Sequence, residues 1–172
     1  MIKTLGVEDF EEFCRVRLKS LEEYPVAYSS MPQFFKDASL EMKMNLLSDS
    51  EGESSNFING YYKENKLIGL IGFRRESRDS VAHKGTIWGF YVSADFQEQS
   101  IGKALLNSLI KKVSSDKDIK YIRLMVAENC ERAISLFKSF EFKEYGMEID
   151  SISDGVYFYN QIYMQKFIEE VI

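Results

Sequence analysis

Between Trp88 and Lys112 the sequence passes from strand to helix across one short polar loop. Trp88-Gly-Phe-Tyr-Val92 is apolar and aromatic, Ser93 to Gln99 is largely polar, and apolar residues then recur at helical spacing. Leu106, Leu109, Ile110 and Val113 stand at i, i+3, i+4 and i+7; Ile101 and Leu105 extend the stripe, and Lys103, Asn107 and Lys111 mark the opposite face. A helix with such a stripe docks on a sheet, which fixes its first turn just beyond the end of the strand. The N–H groups of that turn have no intrahelical partner, and with the helix dipole they favour an anion, phosphate above all. Ser100 can cap the helix or offer its hydroxyl to a phosphate, Gly102 lets a ligand approach the backbone, and Lys103 adds a formal charge. Gly89, inside the strand, marks a bulge or a close backbone approach. A plain crossover loop would show the same outline.

The rest of the chain supplies the sheet on which that helix rests. Ile2 to Leu5 reads as a first strand and Glu8 to Glu23 as a helix carrying Phe10, Phe13, Val16, Leu18 and Leu21. Pro25 and Pro32 place Tyr24 to Pro32 in a loop or turn, and its tyrosines are either a substrate wall or a packed connector. The spacing predicts a helix over Phe34 to Leu47 and an exposed polar loop over 48–55. Strands follow at Phe57 to Tyr62 and Lys66 to Phe73, joined by Lys63-Glu-Asn65, and a third runs from about His83 to Val92. After the helix at Ile101 to Ser114 come a strand at Tyr121 to Val126, a helix at Glu131 to Phe140, and strands at Phe142 to Ile149 and Val156 to Phe167, with their turn near Ser151 to Gly155. The unit from Thr86 to Val126 has the length of a right-handed crossover, so its two strands should be parallel neighbours. The expected class is α/β (α+β): a mixed, largely antiparallel sheet flanked by helices.

Bulk properties narrow the function. A chain of 172 residues is expected to form one domain, spanning 1–172, with a full core. Its net charge of −5 excludes a nucleic-acid surface as the main function. Cys14 and Cys130 make neither a disulfide framework nor a metal-ligand spacing, and the single histidine, His83, cannot build a histidine metal site or a Ser-His-Asp triad alone; no metal is expected. Met1 to Gly6 opens no long apolar run, and no segment approaches the ~20 apolar residues of a membrane span, so a cytoplasmic chain without membrane contact is expected.

The central turn also carries a resemblance. Val92-Ser-Ala-Asp-Phe-Gln97-Glu-Gln-Ser100-Ile-Gly102-Lys-Ala-Leu-Leu is similar to the acetyl-CoA-binding motif of the GNAT superfamily of N-acetyltransferases, Arg/Gln-x-x-Gly-x-Gly/Ala after a strand ending in Val. Leu124-Met-Val126-Ala-Glu-Asn-Cys130-Glu-Arg-Ala133-Ile-Ser-Leu136-Phe137 to Phe142 resembles its second signature, Leu-x-Val-x-x-x-Asn-x-x-Ala-x-x-Leu-Tyr-x-x-x-Gly-Phe. The order of elements agrees over essentially the whole chain. The resemblance implies a splay between the parallel strands that holds the pantetheine arm of coenzyme A, with Phe90, Tyr91 and Val92 as strand contacts. It implies a pyrophosphate cradle at Gln97, Glu98, Gln99, Ser100, Ile101, Gly102 and Lys103, with Asn129, Cys130 and Phe137 from the second signature. Acetyl-CoA would be the acyl donor, and a small-molecule or peptide amine would attack the thioester directly.

The sequence departs from the pattern at several points. Glu98 and Ser100 replace residues that are usually glycine or basic, and Glu98 puts a negative charge beside the expected pyrophosphate unless it turns to solvent. Cys130 takes the usual Asn register, Glu141 replaces the glycine before Phe142, and Phe137 stands where the family often has a tyrosine acid. Thr86 lies where some members carry a strand glutamate, and His83 sits near the strand start, so no catalytic residue is assigned. The leading reading is an acetyl-CoA-dependent N-acetyltransferase; the altered turn and Phe137 motivate a second, a CoA-binding sensor or interaction module with weakened catalysis. A third is an interaction domain that binds no CoA. The aromatic closing stretch from Val156 to Met164 is a candidate for a homodimer surface, the acceptor pocket or ordinary burial.

Overall fold

The computed structural model describes residues 1–28, 30–48 and 56–168. Seven strands form one sheet in the order β1-β2-β3-β4-β5-β7-β6: β1 Ile2–Thr4, β2 Asn56–Lys63, β3 Lys66–Arg75, β4 Lys84–Val92, β5 Tyr121–Ala127, β6 Lys143–Ser153 and β7 Phe158–Phe167. The β4–β5 pair is parallel and every other pair is antiparallel, the mixed sheet expected from the sequence. β3 is buried from Leu67 to Phe73 because helices cover both of its faces. On one face, α4 (Ile101–Ser114) and α5 (Glu131–Ser139) enclose Phe57, Ile71, Phe73, Leu105, Leu109 and Met164. On the other, α1 (Phe10–Glu23) and α3 (Leu40–Ser48) cover Leu5, Ile58, Leu70 and Tyr91.

The single helix expected over Phe34 to Leu47 is two. Helix α2 (Pro32–Asp37) ends where Ala38 leaves helical geometry at ψ 139°, and Ser39 Oγ accepts the Met42 N–H at 3.1 Å, capping α3. Pro32 opens α2 at a position where its missing N–H is no loss. The closing turn falls later than expected, with Asp154 Oδ1 accepting N–H bonds from Val156 (2.9 Å) and Tyr157 (2.7 Å). There Val156, Tyr157 and Phe158 stay exposed. The polar loop expected over 48–55 lies outside the described residues from 49 onward. Among the described residues, no helix is long and apolar enough to cross a membrane.

Asp9 ties the start of α1 to the sheet. Its carboxylate takes the Gly6 N–H at 3.1 Å and the Tyr62 hydroxyl at 2.7 Å, and it pairs with Lys3 at 2.8 Å. Burial alone would raise its pKa, but the bonds from Lys3, Tyr62 and Gly6 outweigh it and hold the carboxyl below its ordinary value. A folded pKa below the unfolded one, about 4, makes this stabilisation complete above that pH and drains it as pH falls through the folded value. Urea midpoints at pH 7, 4 and 3 should therefore fall steeply below pH 4 for the native chain and less steeply for Asp9→Asn.

Candidate active site at the splayed strand pair

The parallel pair hydrogen-bonds only at its beginning, with Lys84, Gly85 and Thr86 opposite Tyr121, Ile122 and Arg123. Beyond that point β4 continues to Val92 and β5 to Ala127 without pairing to each other, so two strand edges open onto a cleft. A bulge in β4 shapes one edge. Leu70 pairs with Tyr91 and Gly72 with Trp88, which leaves Gly89 and Phe90 opposite Ile71 alone, and Gly89 adopts φ +63°. Glycine reaches this left-handed conformation without strain, so the sequence reading of Gly89 holds. The extra residue resets the alternation: Ile87, Phe90 and Val92 pack towards α4, and Trp88 and Tyr91 towards α1. Ser93 N–H reaches Ile68 C=O across the β3 ladder at 2.8 Å, so the peptide groups of Val92 and Phe90, one and three residues back, point into the opening.

The cleft has a volume of about 290 Å³. Its walls include Ile87 to Phe90 of β4, Leu124 to Val126 of β5, Cys130 and Phe137 at α5, and Arg17 and Tyr28 from the α1 side. Tyr28 donates its hydroxyl to Phe90 C=O at 2.7 Å, so the tyrosine loop after α1 does form a wall of the cleft. Burial raises its pKa and keeps the phenol protonated. The Phe137 ring is 4% exposed and lies 5.6 Å from the rings of Phe90 and Phe142. Cys130 begins α5, and burial pushes its thiol up, away from the nucleophilic thiolate. Among the described residues, no Asp, Glu or His belongs to the cleft lining. His83 precedes β4, its ring 6.4 Å from Tyr121, and Thr86 pairs between Arg74 and Arg123; neither lines the cleft.

Beyond the cleft, the chain runs from β4 through residues 93–99 to the start of α4. Ser100, the residue before the helix, has φ +60°, and Glu98 has φ +66°. A left-handed conformation costs an L-residue about 1–2 kcal/mol, the physical reason glycine suits these two positions. Ser100 does not cap the helix with its side chain; its C=O accepts the Ala104 N–H at 3.0 Å, and the first-turn amides carry no side-chain cap. A Cβ on Gly102 would stand 3.2 Å from Phe90 Cζ and 3.3 Å from Leu136 Cδ2, so glycine lets strand, α4 and α5 meet.

The charge at Glu98 is balanced from a place the sequence reading passed over. Arg132, in the first turn of α5, pairs with Glu98 at 3.4 Å and donates to Gln97 Oε1 at 3.4 Å. Lys63 donates to Gln99 Oε1 at 3.1 Å, and Lys103 is exposed beside them. Lys63, Lys103 and Arg132 thus lie at the turn, with Glu98 and Glu64 as the acidic residues beside them, in a chain of net charge −5. Gln97 is further fixed by a 2.8 Å bond to the Tyr24 hydroxyl.

The structure thus brings together Phe90, Val92, Gln97 to Lys103, Cys130 and Phe137. It sets Tyr91 apart, on the opposite face, with its hydroxyl on Glu23 at 2.7 Å, while Asn129 stands exposed ahead of α5. Arg17, Trp88 and Arg132 are site residues that the sequence patterns do not point to. The available signal for Arg17 was its place within a buried helical stripe, one residue after Val16 and four after Phe13.

The structure superposes on an acetyltransferase of the GNAT family from Streptococcus pneumoniae with a TM-score of 0.88 at 17% identity, covering 98% of this chain and 99% of that one. A GNAT superfamily phosphinothricin acetyltransferase from Sinorhizobium meliloti, solved in complex with AcCoA, gives 0.84 at 16% identity, covering 99% of this chain and 89% of that one. At such identities the likeness is one of fold. An uncharacterized N-acetyltransferase, ycf52, of Gracilaria tenuistipitata var. liui is 39% identical over 64 residues, 37% of this chain; the chain spans only 34% of that relative's length. The family model described as "Acetyltransferase (GNAT) family" matches residues 18–142, which include the cleft strand, the α4 turn and α5. The chain belongs to the GNAT family of acetyltransferases.

Proposed function

We propose that this chain is an acetyl-CoA-dependent N-acetyltransferase that passes the acetyl group to a primary amine by direct attack on the thioester. One observation carries the reading: a bulged strand edge without a strand partner beyond Thr86 runs into a helix start that Ser100 does not cap with its side chain, which together suit a long ligand with amides at one end and phosphates at the other. The first-turn amides of α4, with Lys103, Arg132 and Lys63, would hold the pyrophosphate. The peptide groups of Phe90 and Val92 would run beside the pantetheine amides, while the Phe90 and Phe137 rings exclude water. When bound, acetyl-CoA supplies an activated carbonyl whose thiol is a tolerable leaving group, so Phe137 in place of a tyrosine need not abolish transfer. Tyr28 brings the cleft a protonated hydroxyl in its stead. Among the described residues no carboxylate or imidazole lines the cleft, and on this reading the attacking amine would lose its proton to solvent.

Thermal unfolding with and without millimolar acetyl-CoA tests the donor, because a ligand that prefers the folded state raises the melting temperature. Amine-dependent thiol release over an amine panel then separates an enzyme from a CoA-binding module without catalysis. No thermal shift overturns both CoA readings; a shift without amine-dependent release leaves the non-catalytic module. Cys130→Ala should keep kcat within about threefold of the native value, since a buried, protonated thiol takes no acyl group. A loss of a hundredfold with acyl-enzyme visible by mass in the native chain would replace direct attack by a two-step route.

A further inference from the structure

Arg17 is a cation in the cleft that meets no anion among the described residues. Its guanidinium carbon lies 4.8 Å from the centre of the Tyr28 ring and 5.9 Å from that of Trp88. Among the described residues it makes one side-chain hydrogen bond, a long 3.5 Å to Ser20 Oγ, and no ion pair. A guanidinium presents five N–H donors in a planar fork, and removing it from water without a partner is unfavourable; burial accordingly lowers its pKa. The two flanking rings hold the guanidinium in place and leave most of the fork unspent. Trp88, on the same wall, carries a second unspent donor: its Nε1–H is buried against Gly72 of β3 and has no acceptor among the described residues. Arg74, also without a carboxylate partner among the described residues, flanks Trp88 at 6.0 Å.

The position of the fork gives these donors their meaning. Arg17 Nη1 lies 3.7 Å from where a Cβ on Gly89 would stand, so the fork sits directly over the β4 bulge. The acceptor amine must approach that same strand edge to reach a thioester. Among the described residues the lining contains Arg17 but no Asp or Glu, so a simple ammonium meets a repelling charge there, in a chain that is otherwise acidic. An acceptor that brings its own carboxylate reverses the sign of that encounter and satisfies the fork in two-point fashion.

Resting on the acetyltransferase reading above, we propose that Arg17 binds a carboxylate carried by the acceptor, with Trp88 beside it, so that the acceptor is a free amino acid. A peptide N-terminus does not fit, because its adjacent carboxyl is already an amide and brings no charge.

Matched pairs of acceptors test this: L-α-amino acids against the corresponding amino acid amides, with thiol release from acetyl-CoA as the readout. The native chain should prefer the acids by about 10- to 100-fold in kcat/KM, the value of a charged two-point contact. Arg17→Gln should bring the ratio within about threefold by losing activity on the acids alone, and Arg17→Lys should retain part of the preference. Trp88 is the chain's one tryptophan, so its fluorescence reports occupancy without turnover. Titration of the native chain with des-amino carboxylates, propionate to 4-methylpentanoate, in the presence of CoA should give a saturable change that Arg17→Gln removes. Equal use of acids and amides, or no saturable fluorescence change, overturns the role of Arg17 while leaving the acetyltransferase reading intact. Absence of thiol release with every amine overturns that reading instead, and the fluorescence titration still decides Arg17. Both decisive comparisons use the native chain, so they hold even if Arg17→Gln does not fold.

Discussion

Deleting Gly89 should give a protein that folds and does not work. With Gly89 present, Gly89 and Phe90 stand opposite Ile71 alone; without it, Phe90 pairs with Ile71 and the β3–β4 ladder becomes regular. Because side chains alternate along a strand, the deletion leaves Ile87, Phe90 and Val92 on the α4 face and Trp88 and Tyr91 on the α1 face, where they already lie. Both cores keep their residues, and the cost should be about 1–2 kcal/mol, or roughly 2–8 °C in melting temperature for a chain of this size. The local twist that turns the strand edge towards the cleft, the bond from Tyr28 to Phe90 C=O and the seat of Arg17 over the bulge would all be lost. Strand-edge amides of this kind contribute about 10²–10³ in rate when they meet a developing oxyanion, so kcat/KM should fall by at least about a hundredfold. Circular dichroism melts beside thiol-release kinetics separate the two effects. Unchanged activity would show that the chemistry does not use this edge, and an unfolded variant would make the bulge a requirement of the sheet.

The same bulge shows what the sequence could and could not reveal. The α4 stripe, the β2–β3–β4 meander and the parallel partner of β4 are legible because each rests on periodicity or length within one short segment. Gly89 was legible as a bulge, but not its effect on which residues share a face. Other features depend on groups far apart in the chain. Glu98 looked like an unbalanced charge because Arg132, which answers it, lies on the next helix. Glu98, Ser100 and Glu141 stood out as replacements for glycine, but only the backbone explains why glycine is usual there: all three have φ between +60° and +66°. At Glu141 the reason is the end of α5, where Glu141 N–H bonds Lys138 C=O at 2.9 Å and Phe142 N–H bonds Phe137 C=O at 3.1 Å, a Schellman ending that requires a left-handed residue. The break between α2 and α3 escaped notice because one serine outweighed an otherwise continuous helical spacing.

Gly102→Val should abolish the response to acetyl-CoA while leaving the chain folded. Even a single Cβ at Gly102 comes within 3.2 Å of Phe90 and 3.3 Å of Leu136, and a branched side chain must push the start of α4 away from both β4 and α5. That overpacking costs about 1–3 kcal/mol, partly offset by removing a glycine from a helix, so the fold should survive. The first-turn amides, however, would no longer lie in line with the strand edge, and the phosphate end and the amide end of the ligand could not both be met. At a ligand concentration a hundredfold above Kd, the native chain should gain about 2.7 kcal/mol, or roughly 5–10 °C in melting temperature, and Gly102→Val less than about 2 °C. Gly102→Ala, which asks its neighbours to yield by only a few tenths of an ångström, should keep most of the shift. If valine kept it as well, acetyl-CoA would not be resting on the start of α4, and the anion site there would have to serve another ligand.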